Sequence, residues 1–535
     1  MKKLTFILVL AMLALLTQCK KEDPTQDNPS DGIQMILKAN NGGSKTSFGP
    51  DGAISWSAND VIYVVAGGQC VGSVTNGAGG GSTFTGTLSG ITTSGTYDFH
   101  YYYVGNQTIA NNATSFTMNF TNQEGTLAHL GDFHVGHGVQ SGVEVTTGTP
   151  VTAQTNMSSL VSMAYFNTSC MAETDDKVFF YGDNINNQLS IDFSTNTPTY
   201  NKVNSGWICA GTASTGAYVM LLPNHTDGTE ELDTDITFVS KRTTGTCNGV
   251  FNYGIVPGRF YCAGGNTNNP ISVSATSYYP GALRGVFSIS ATETVHLSQG
   301  NLQYIGSDAT PYWKFADHQW ESLGGTTGQF SDATNVDRDL FGWGTGNNPN
   351  LVSTNNADYA TYTDWGTNAI ANGGNTANMW HSLYCAQWRY ILQTRAASTI
   401  GGTSNARMTM AYLFGTIHGA ILFPDDYTHP AGIAVPVGIN CTSYFDQGFK
   451  DSWGGNRYTA EEWAQMEAAG AVFLPTTDNR SGTSMSNAVL IGFYWTPTIF
   501  DEAKAFSLAF SGNGGIDAGN SYGYRYTGHA ARLVR

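Results

Sequence analysis

The chain has 535 residues, which is too many for one hydrophobic core and predicts about three domains. Charged residues make up only 12% of it, whereas glycine (64 copies) and aromatic residues (12%) are abundant, a balance typical of secreted, β-rich proteins. The formal net charge of −16 and the lack of lysine- or arginine-rich runs argue against nucleic acid and anionic lipid as partners, so we expect glycan or protein ligands.

The first 19 residues have the pattern of an export signal. Lys2 and Lys3 precede an apolar run from Leu4 to Leu16, which is too short to cross a bilayer, since a spanning helix takes about 20 apolar residues. The segment ending at Cys19 resembles the lipobox of bacterial lipoproteins, although Gln18 replaces the usual small residue. The resemblance implies lipidation (palmitate included) at Cys19, so that the lipid is the only contact with the membrane. Removal of Cys19 with an ordinary secretory signal is the alternative.

Residues 20–32 are polar and without periodicity, which predicts a flexible tether. Their charged beginning resembles the surface-export signal of outer-membrane lipoproteins in anaerobic Gram-negative bacteria. Short runs of alternating apolar and polar residues follow, separated by glycine, asparagine and aspartate. They predict β-strands and no helix. We divide them into two β-sandwich domains, 33–150 and 151–284.

The region 285–535 differs, because nine of the eleven tryptophans lie beyond residue 300. Helical spacing of apolar residues predicts a helix over Thr376 to Arg395. Thr459 with Glu462 forms a capping box for a second helix that ends at Gly470, and a strand follows from Ala471 to Leu474. The chain is therefore predicted to be mostly β, with an α+β C-terminal domain.

Two stretches of the first half resemble the fimbrillin family of anaerobe pilus subunits. In Lys45 to Val65, a glycine-rich turn precedes Trp56, Asp60 and a strand, and Asn156 to Asn167 resembles the opening strand of the family's second sandwich. The resemblance implies two fimbrillin-like β-sandwiches. It also implies donor-strand exchange with other fimbrillin subunits as partners.

The C-terminal 250 residues or so resemble the FISUMP-type major paralogous domain, a relative of the C-type-lectin-like and formylglycine-generating-enzyme folds. The resemblance is carried in order by Phe287 to Ile305, Trp313 to Trp320, Asp339 to Gly346 and Ile421 to Tyr427. It implies that the first and last strands of the domain pair, so that Ala531 to Val534 is core. It also implies that the loop region from Asn487 to His529 supplies an exposed binding face.

Large planar and amide side chains are concentrated in this loop region, which also contains Phe500. Such side chains provide contact area at low entropic cost. The candidate ligand-binding residues are Tyr494, Trp495, Asn513, Tyr522, Tyr524, Arg525 and Tyr526. Plain surface packing is the alternative for the cluster from Tyr522 to Tyr526.

Signals for metal or catalytic chemistry are weak. His134 and His137 have the spacing of a metal half-site, but Asp132 is the only carboxylate beside them, which favours a hairpin loop. Asp425 and Asp426 could face a cation, yet turn capping is the favoured interpretation. With no catalytic motif present, we expect no catalytic residues, no metal site and no cofactor, and thus no enzyme.

Together these features predict a surface-exposed lipoprotein of the outer membrane. The favoured function is a fimbrial tip adhesin that binds a host or microbial glycan or protein through residues 285–535. A monomeric glycan-capture lipoprotein is the first alternative, and a modifying enzyme of the formylglycine-generating type is the second.

Overall fold

The computed structural model describes residues 32–41, 47–48, 54–168, 176–182, 184–203, 206–212, 216–224, 234–241, 247–251, 254–263, 271–272, 279–323, 336–440, 455–485, 491–511 and 515–535. The signal segment with Cys19, the tether up to residue 31, and Asn513 lie outside these ranges. Within the described residues, no helix is both long and apolar enough to span a membrane.

The first unit is a seven-stranded closed barrel. Its strand order is β1-β11-β10-β7-β4-β5-β6, and side chains alternate between the interior and the surface most regularly along β1 and β11. In β1, for example, Met35 and Leu37 are buried whereas Gln34 and Lys38 are exposed. The first eleven strands are β1 (Ile33–Asn41), β2 (Ser47–Phe48), β3 (Ile54–Ser55), β4 (Val61–Ala66), β5 (Gln69–Asn76), β6 (Thr83–Leu88), β7 (Gly95–Tyr103), β8 (Ser115–Asn119), β9 (Asn122–Gln123), β10 (Gly136–Val145) and β11 (Val151–Ser159).

The barrel differs from the predicted sandwich and moves the predicted boundary at residue 150. β11 was expected to open the second domain, but it pairs in parallel with β1 along its length. Conversely, β8 and β9 leave the first unit to join sheets of the second. Alternating residues reveal that a segment is a strand, whereas its partner depends on long-range register, which the pattern does not contain.

The second unit has three sheets, two of which pack around phenylalanines such as Phe166, Phe180 and Phe238. The third packs in a cluster that it shares with the barrel. The sheet orders are β17-β12-β20 with β21 beside β12, β19-β18-β13-β16-β9, and β15-β14-β8. Its own strands are β12 (Ser162–Asn167), β13 (Lys177–Tyr181), β14 (Gln188–Asp192), β15 (Thr197–Asn201), β16 (Ile208–Thr212), β17 (Ala217–Leu221), β18 (Thr234–Val239), β19 (Cys247–Phe251), β20 (Phe260–Tyr261) and β21 (Ile271–Ser272).

In its described residues, the C-terminal unit combines short sheets with two α-helices, α1 (Cys385–Arg389) and α2 (Ala460–Ala468). Its larger sheets have the orders β22-β23-β38-β26, β29-β27-β28-β30 and β33-β34-β35, with β36 also beside β34. The strands are β22 (Ala282–Ser288), β23 (Thr294–Ser298), β24 (Leu302–Ile305), β25 (Tyr312–Phe315), β26 (His381–Ser382), β27 (Met408–Leu413), β28 (Ile417–Leu422), β29 (Arg457–Tyr458), β30 (Val472–Pro475), β31 (Arg480–Ser481), β32 (Ser484–Met485), β33 (Ile491–Ile499), β34 (Lys504–Ser511), β35 (Gly515–Asp517), β36 (Tyr522–Tyr524), β37 (Thr527–Gly528) and β38 (Leu533–Val534).

One of the two predicted helices is confirmed and the other is too long. At α2, Thr459 and Glu462 make both hydrogen bonds of the capping box, and Gly470 has the positive φ of 105° that ends a helix. The helix predicted over Thr376 to Arg395 is reduced to α1 and a π-helical turn, Tyr390–Thr394. Asn375 and Asn378 adopt left-handed φ values, and β26 pairs with β38 instead of continuing a helix.

The chain's last strand is part of the core. β38 pairs with β23 on one side and with β26 on the other, and Leu533 and Val534 are fully buried. This confirms that Ala531 to Val534 is core. The predicted pairing of the unit's first and last strands is wrong, because β38 lies between β23 and β26 and is separated from β22 by β23. The expectation of a mostly β chain is confirmed as well.

A buried junction connects the second unit to the C-terminal unit. Lys241 Nζ lies 3.3 Å from Asp176 Oδ1, and both side chains are buried. The Lys241 carbonyl accepts the backbone N–H of Arg284, whose guanidinium donates to the carbonyl of Ala468 in α2. Because α2 also packs against Phe179 and its neighbours, the two units share a small hydrophobic core.

Candidate functional site

An exposed aromatic surface lies on the sheet that contains β34 and β36. Tyr522 and Tyr524 are two residues apart on β36, so both point to the same face, where they are 45% and 46% exposed. Gly523 between them faces inward, and a Cβ there would lie only 3.0 Å from the His529 ring. A glycine at this position therefore lets β36 lie close to the core while its tyrosines face solvent.

Neighbouring side chains extend this surface. The ring of Phe500 stacks on Tyr522 at a centroid distance of 4.0 Å, and Tyr526 stacks on Tyr524 at 5.4 Å. The ammonium of Lys504 lies 5.0 and 5.1 Å from the centroids of Tyr522 and Tyr524, within cation–π range of both. We call Phe500, Lys504, Tyr522, Tyr524 and Tyr526 the aromatic platform.

A tight turn positions the platform's first two members. The Asp501 carboxylate accepts the backbone N–H groups of Ala503 and Lys504, both at 2.8 Å. The N–H of Phe500 donates to the carbonyl of Lys504 at 3.1 Å, which closes the turn. Phe500 and Lys504 therefore stand on a hydrogen-bonded turn.

Arg525 does not contact solvent as a ligand-binding residue would. Its guanidinium lies 4.5 Å from the ring centroid of the buried Trp343 and donates to the carbonyl of Asp501 at 2.7 Å. Only 6% of its surface is exposed. The prediction that Arg525 contacts ligand is corrected: the side chain points into the domain and ties β36 to the turn at Asp501.

Tyr494 and Trp495 are core residues, which contradicts their predicted place on the binding face. The Tyr494 hydroxyl donates to the carbonyl of Pro475, and Trp495 Nε1 donates to the carbonyl of Phe341. Both belong to β33, where they are neighbours on opposite faces of the strand and lie in two different buried clusters. The predicted residue Asn513 lies outside the described residues.

Of the predicted residues, the structure thus brings together Tyr522, Tyr524 and Tyr526 on one surface. Lys504 is the platform member that sequence reasoning missed. A lysine in a short alternating run has the pattern of an ordinary solvated residue. Lys504 becomes part of the platform because the register of the β34–β36 pair sets it opposite Tyr524.

Asp425, which was considered for cation binding, makes structural contacts instead. Asp425 pairs with Arg395 at 2.6 Å and accepts hydrogen bonds from the backbone and hydroxyl of Ser288. Asp425 thus has a structural role, but its carboxylate joins distant segments and does not cap its own turn as predicted. Among the described residues, no group of three or more histidine, cysteine, aspartate and glutamate side chains could hold a metal ion.

His134 and His137 do not converge. The His134 imidazole is buried beside Ser159, and burial lowers its pKa to about 3. His137 instead faces His100 of the neighbouring strand, and burial together with that second imidazole lowers its pKa to about 4. The two imidazoles thus face different neighbours, and His137 lies on β10 and not in the predicted hairpin loop.

No family model matches the chain, and no curated protein matches it. Among solved structures, the chain is similar to a protein assigned to cell adhesion from Bacteroides uniformis, with 14% identity over 45% of this chain and 93% of that one and a TM-score of 0.29. It is similar to a fimbrilin from Porphyromonas gingivalis, with 12% identity over 40% and 72% and a TM-score of 0.25. It is also similar to a protein assigned to polysaccharide binding from Bacteroides thetaiotaomicron, with 11% identity over 39% and 76% and a TM-score of 0.24. TM-scores this low do not establish a common fold, so the function has to be argued from the chain's own residues.

Proposed function

We propose that this protein is a cell-surface adhesin that binds its ligand through the aromatic platform. The observation that carries the proposal is the exposure of Tyr522 and Tyr524 on a hydrogen-bonded strand, each with a stacked aromatic neighbour. Rigid aromatic side chains lose little conformational entropy on binding and supply large contact area. A platform of this kind suits a flat, extended ligand better than a small molecule that needs a deep pocket.

The ligand class follows from the chemistry of the surface. Aromatic faces contact the C–H faces of sugar rings or the side chains of a protein, and the tyrosine hydroxyls supply hydrogen bonds. The ammonium of Lys504 adds the platform's one positive charge in a chain of formal net charge −16. A host or microbial glycan or protein is therefore the proposed partner.

The remaining parts of the proposal concern location and assembly. We infer lipidation at Cys19 and an outer-membrane, surface-exposed position from the signal segment. If the Cys19→Ala variant still partitions into the detergent phase, the inferred lipidation at Cys19 is contradicted. We further infer a fimbrial tip position, since β38 is held between two strands of its own unit and is not available to another subunit. We propose no catalytic role.

The test is a glycan and protein array probed with the purified chain from residue 20, followed by affinity measurements on variants. Replacing both Tyr522 and Tyr524 by alanine should weaken binding about 30-fold or more, because each such anchor contributes about 1–2 kcal/mol. Tyr312→Ala is the matched control, since Tyr312 is an exposed tyrosine of β25 outside the platform. Equal affinity of the double variant and the wild type would contradict the proposed site.

A pull-down experiment with a fimbrillin subunit distinguishes a fimbrial tip adhesin from a monomeric glycan-capture lipoprotein. A pull-down of fimbrillin supports the tip position. Glycan binding without any fimbrillin interaction would favour the monomeric glycan-capture lipoprotein instead.

A further inference from the structure

Two histidines on the outer face of the barrel point their ring nitrogens at each other. His100 lies on β7 and His137 on β10, and the register places them diagonally, with Val139 opposite His100 and Tyr102 opposite His137. The His100 Nδ1 and His137 Nε2 atoms are 3.1 Å apart, and the two ring planes differ by only 5°. The barrel thus sets two nitrogen ligands side by side.

This separation matches the requirement of a metal ion. Zinc–imidazole bonds of about 2.0–2.1 Å at a tetrahedral angle place the two nitrogens about 3.3 Å apart. In this structure the two nitrogens share a hydrogen bond, so a metal ion would take the place of the shared proton, and the rings would turn until both lone pairs face the ion. Imidazole is a preferred ligand of zinc, copper and nickel.

The surroundings hold the pair in place. Tyr102 stacks on the His137 ring at a centroid distance of 4.6 Å, which limits rotation of that ring. The Tyr102 hydroxyl donates in turn to the Asn196 side chain, which belongs to the second unit. Val139 is 46% exposed beside the pair, so an ion can reach the site from solvent.

We propose that His100 and His137 form a two-imidazole site for a divalent transition-metal ion: zinc, nickel or copper. Water molecules, or donor atoms of a molecule bound to this face, fill the remaining coordination positions. The site is independent of the aromatic platform, which lies on a different unit, so the proposal does not depend on the proposed function.

The test is calorimetric titration of the purified chain with Ni²⁺ and Zn²⁺ near neutral pH. His100→Gln and His137→Gln should each raise Kd at least about ten-fold, since even outer-shell changes at metal sites cost that much. His129→Gln is the matched control, because His129 is a histidine of the same unit that pairs with Glu124. Unchanged Kd in both site variants, or an equal loss in the control, would overturn the site.

A gain-of-binding variant covers the case in which the glutamine variants do not fold. Val139→His places a third imidazole opposite His100 and two residues from His137 on the same face. A third ligand at the proposed position should tighten Ni²⁺ binding at least about ten-fold. A folded Val139→His protein with the affinity of the wild type would show that the ion does not bind there.

Discussion

Arg525 supports the aromatic platform from within the domain. Its guanidinium covers the Trp343 ring and donates to the Asp501 carbonyl, so one buried cation links β36, the turn at Asp501 and the core. A charged side chain is seldom buried unless such contacts compensate the loss of hydration. Arg525 is thus a positioning residue of the site.

We expect Arg525→Ala to lower the free energy of unfolding of the C-terminal unit by roughly 2 kcal/mol, because it removes a charged hydrogen bond and a cation–π contact. Urea unfolding followed by tryptophan fluorescence measures this. Tyr526→Ala, which changes a half-buried neighbour that stacks on an exposed ring, should cost less than about 1 kcal/mol. An Arg525→Ala variant of unchanged stability and reduced affinity would return Arg525 to the ligand-binding surface.

His529 gives the C-terminal unit a dependence on pH. Its imidazole is stacked on Trp495 at 4.1 Å, and burial lowers its pKa from the ordinary 6.5 to about 3, with nearby Arg480 adding to the effect. Between these two values the unfolded chain binds a proton that the folded chain does not. The free energy of unfolding therefore falls as the pH falls from 6.5 towards 3, by up to about 1.4 kcal/mol per unit.

The measurement is the urea midpoint of the tryptophan transition between pH 7 and pH 4. His529→Phe keeps a stacked ring without the titrating group, so its midpoint should fall less steeply over this range. Identical slopes for the variant and the wild type would show that other groups cause the acid sensitivity.

At the scale of elements, α2 is fixed by its own first turn. Thr459 Oγ1 accepts the N–H of Glu462 at 3.2 Å, and the Glu462 carboxylate accepts the N–H of Thr459 at 2.8 Å. Thr459→Ala should lower the free energy of unfolding by about 1 kcal/mol, because the N–H of Glu462 loses its partner in the first turn. Thr459→Ser keeps the hydroxyl and serves as the control in the same urea experiment. Equal losses in both variants would point to packing of the threonine methyl group.

The same helix shows which elements a sequence reveals. Its capping box and terminal glycine lie within a dozen residues of each other, and these local signals were sufficient to predict where the helix begins and ends. The failed helix over Thr376 to Arg395 had the right spacing of apolar residues, but the pairing of β26 with β38, some 150 residues away, decided its conformation. Likewise, the exposure of Tyr522 was predictable from composition, whereas the burial of Arg525 depends on the distant Trp343.

At the scale of the whole molecule, the junction around Lys241 determines whether the second and third units behave as one body. Lys241 and Asp176 are buried together, and the Lys241 carbonyl holds the start of β22 through Arg284. Because the same junction includes contacts of α2, we expect the stabilities of the two units to be coupled.

Lys241→Met should destabilise the chain by about 3 kcal/mol, since it removes the cation that faces a buried carboxylate. We expect calorimetry to show the unfolding of the two units at more separated temperatures than in the wild type. Lys314→Met breaks a partly exposed ion pair with Asp317 and should have little effect. A single unfolding transition at the wild-type temperature would mean that the junction does not couple the units.

The parallel pairing of β1 with β11 has a mechanical consequence. The tether leads into the start of β1, and the rest of the chain leaves from the end of β11, so tension between an anchor and a distant ligand pulls the two strands in opposite directions along their length. The pairs from Met35 with Val151 to Asn41 with Met157 then bear the load together in shear. Strands pulled apart from one end would instead release their hydrogen bonds one at a time. In the proposed adhesin, the barrel would therefore resist stretching along the line between the proposed anchor and the ligand.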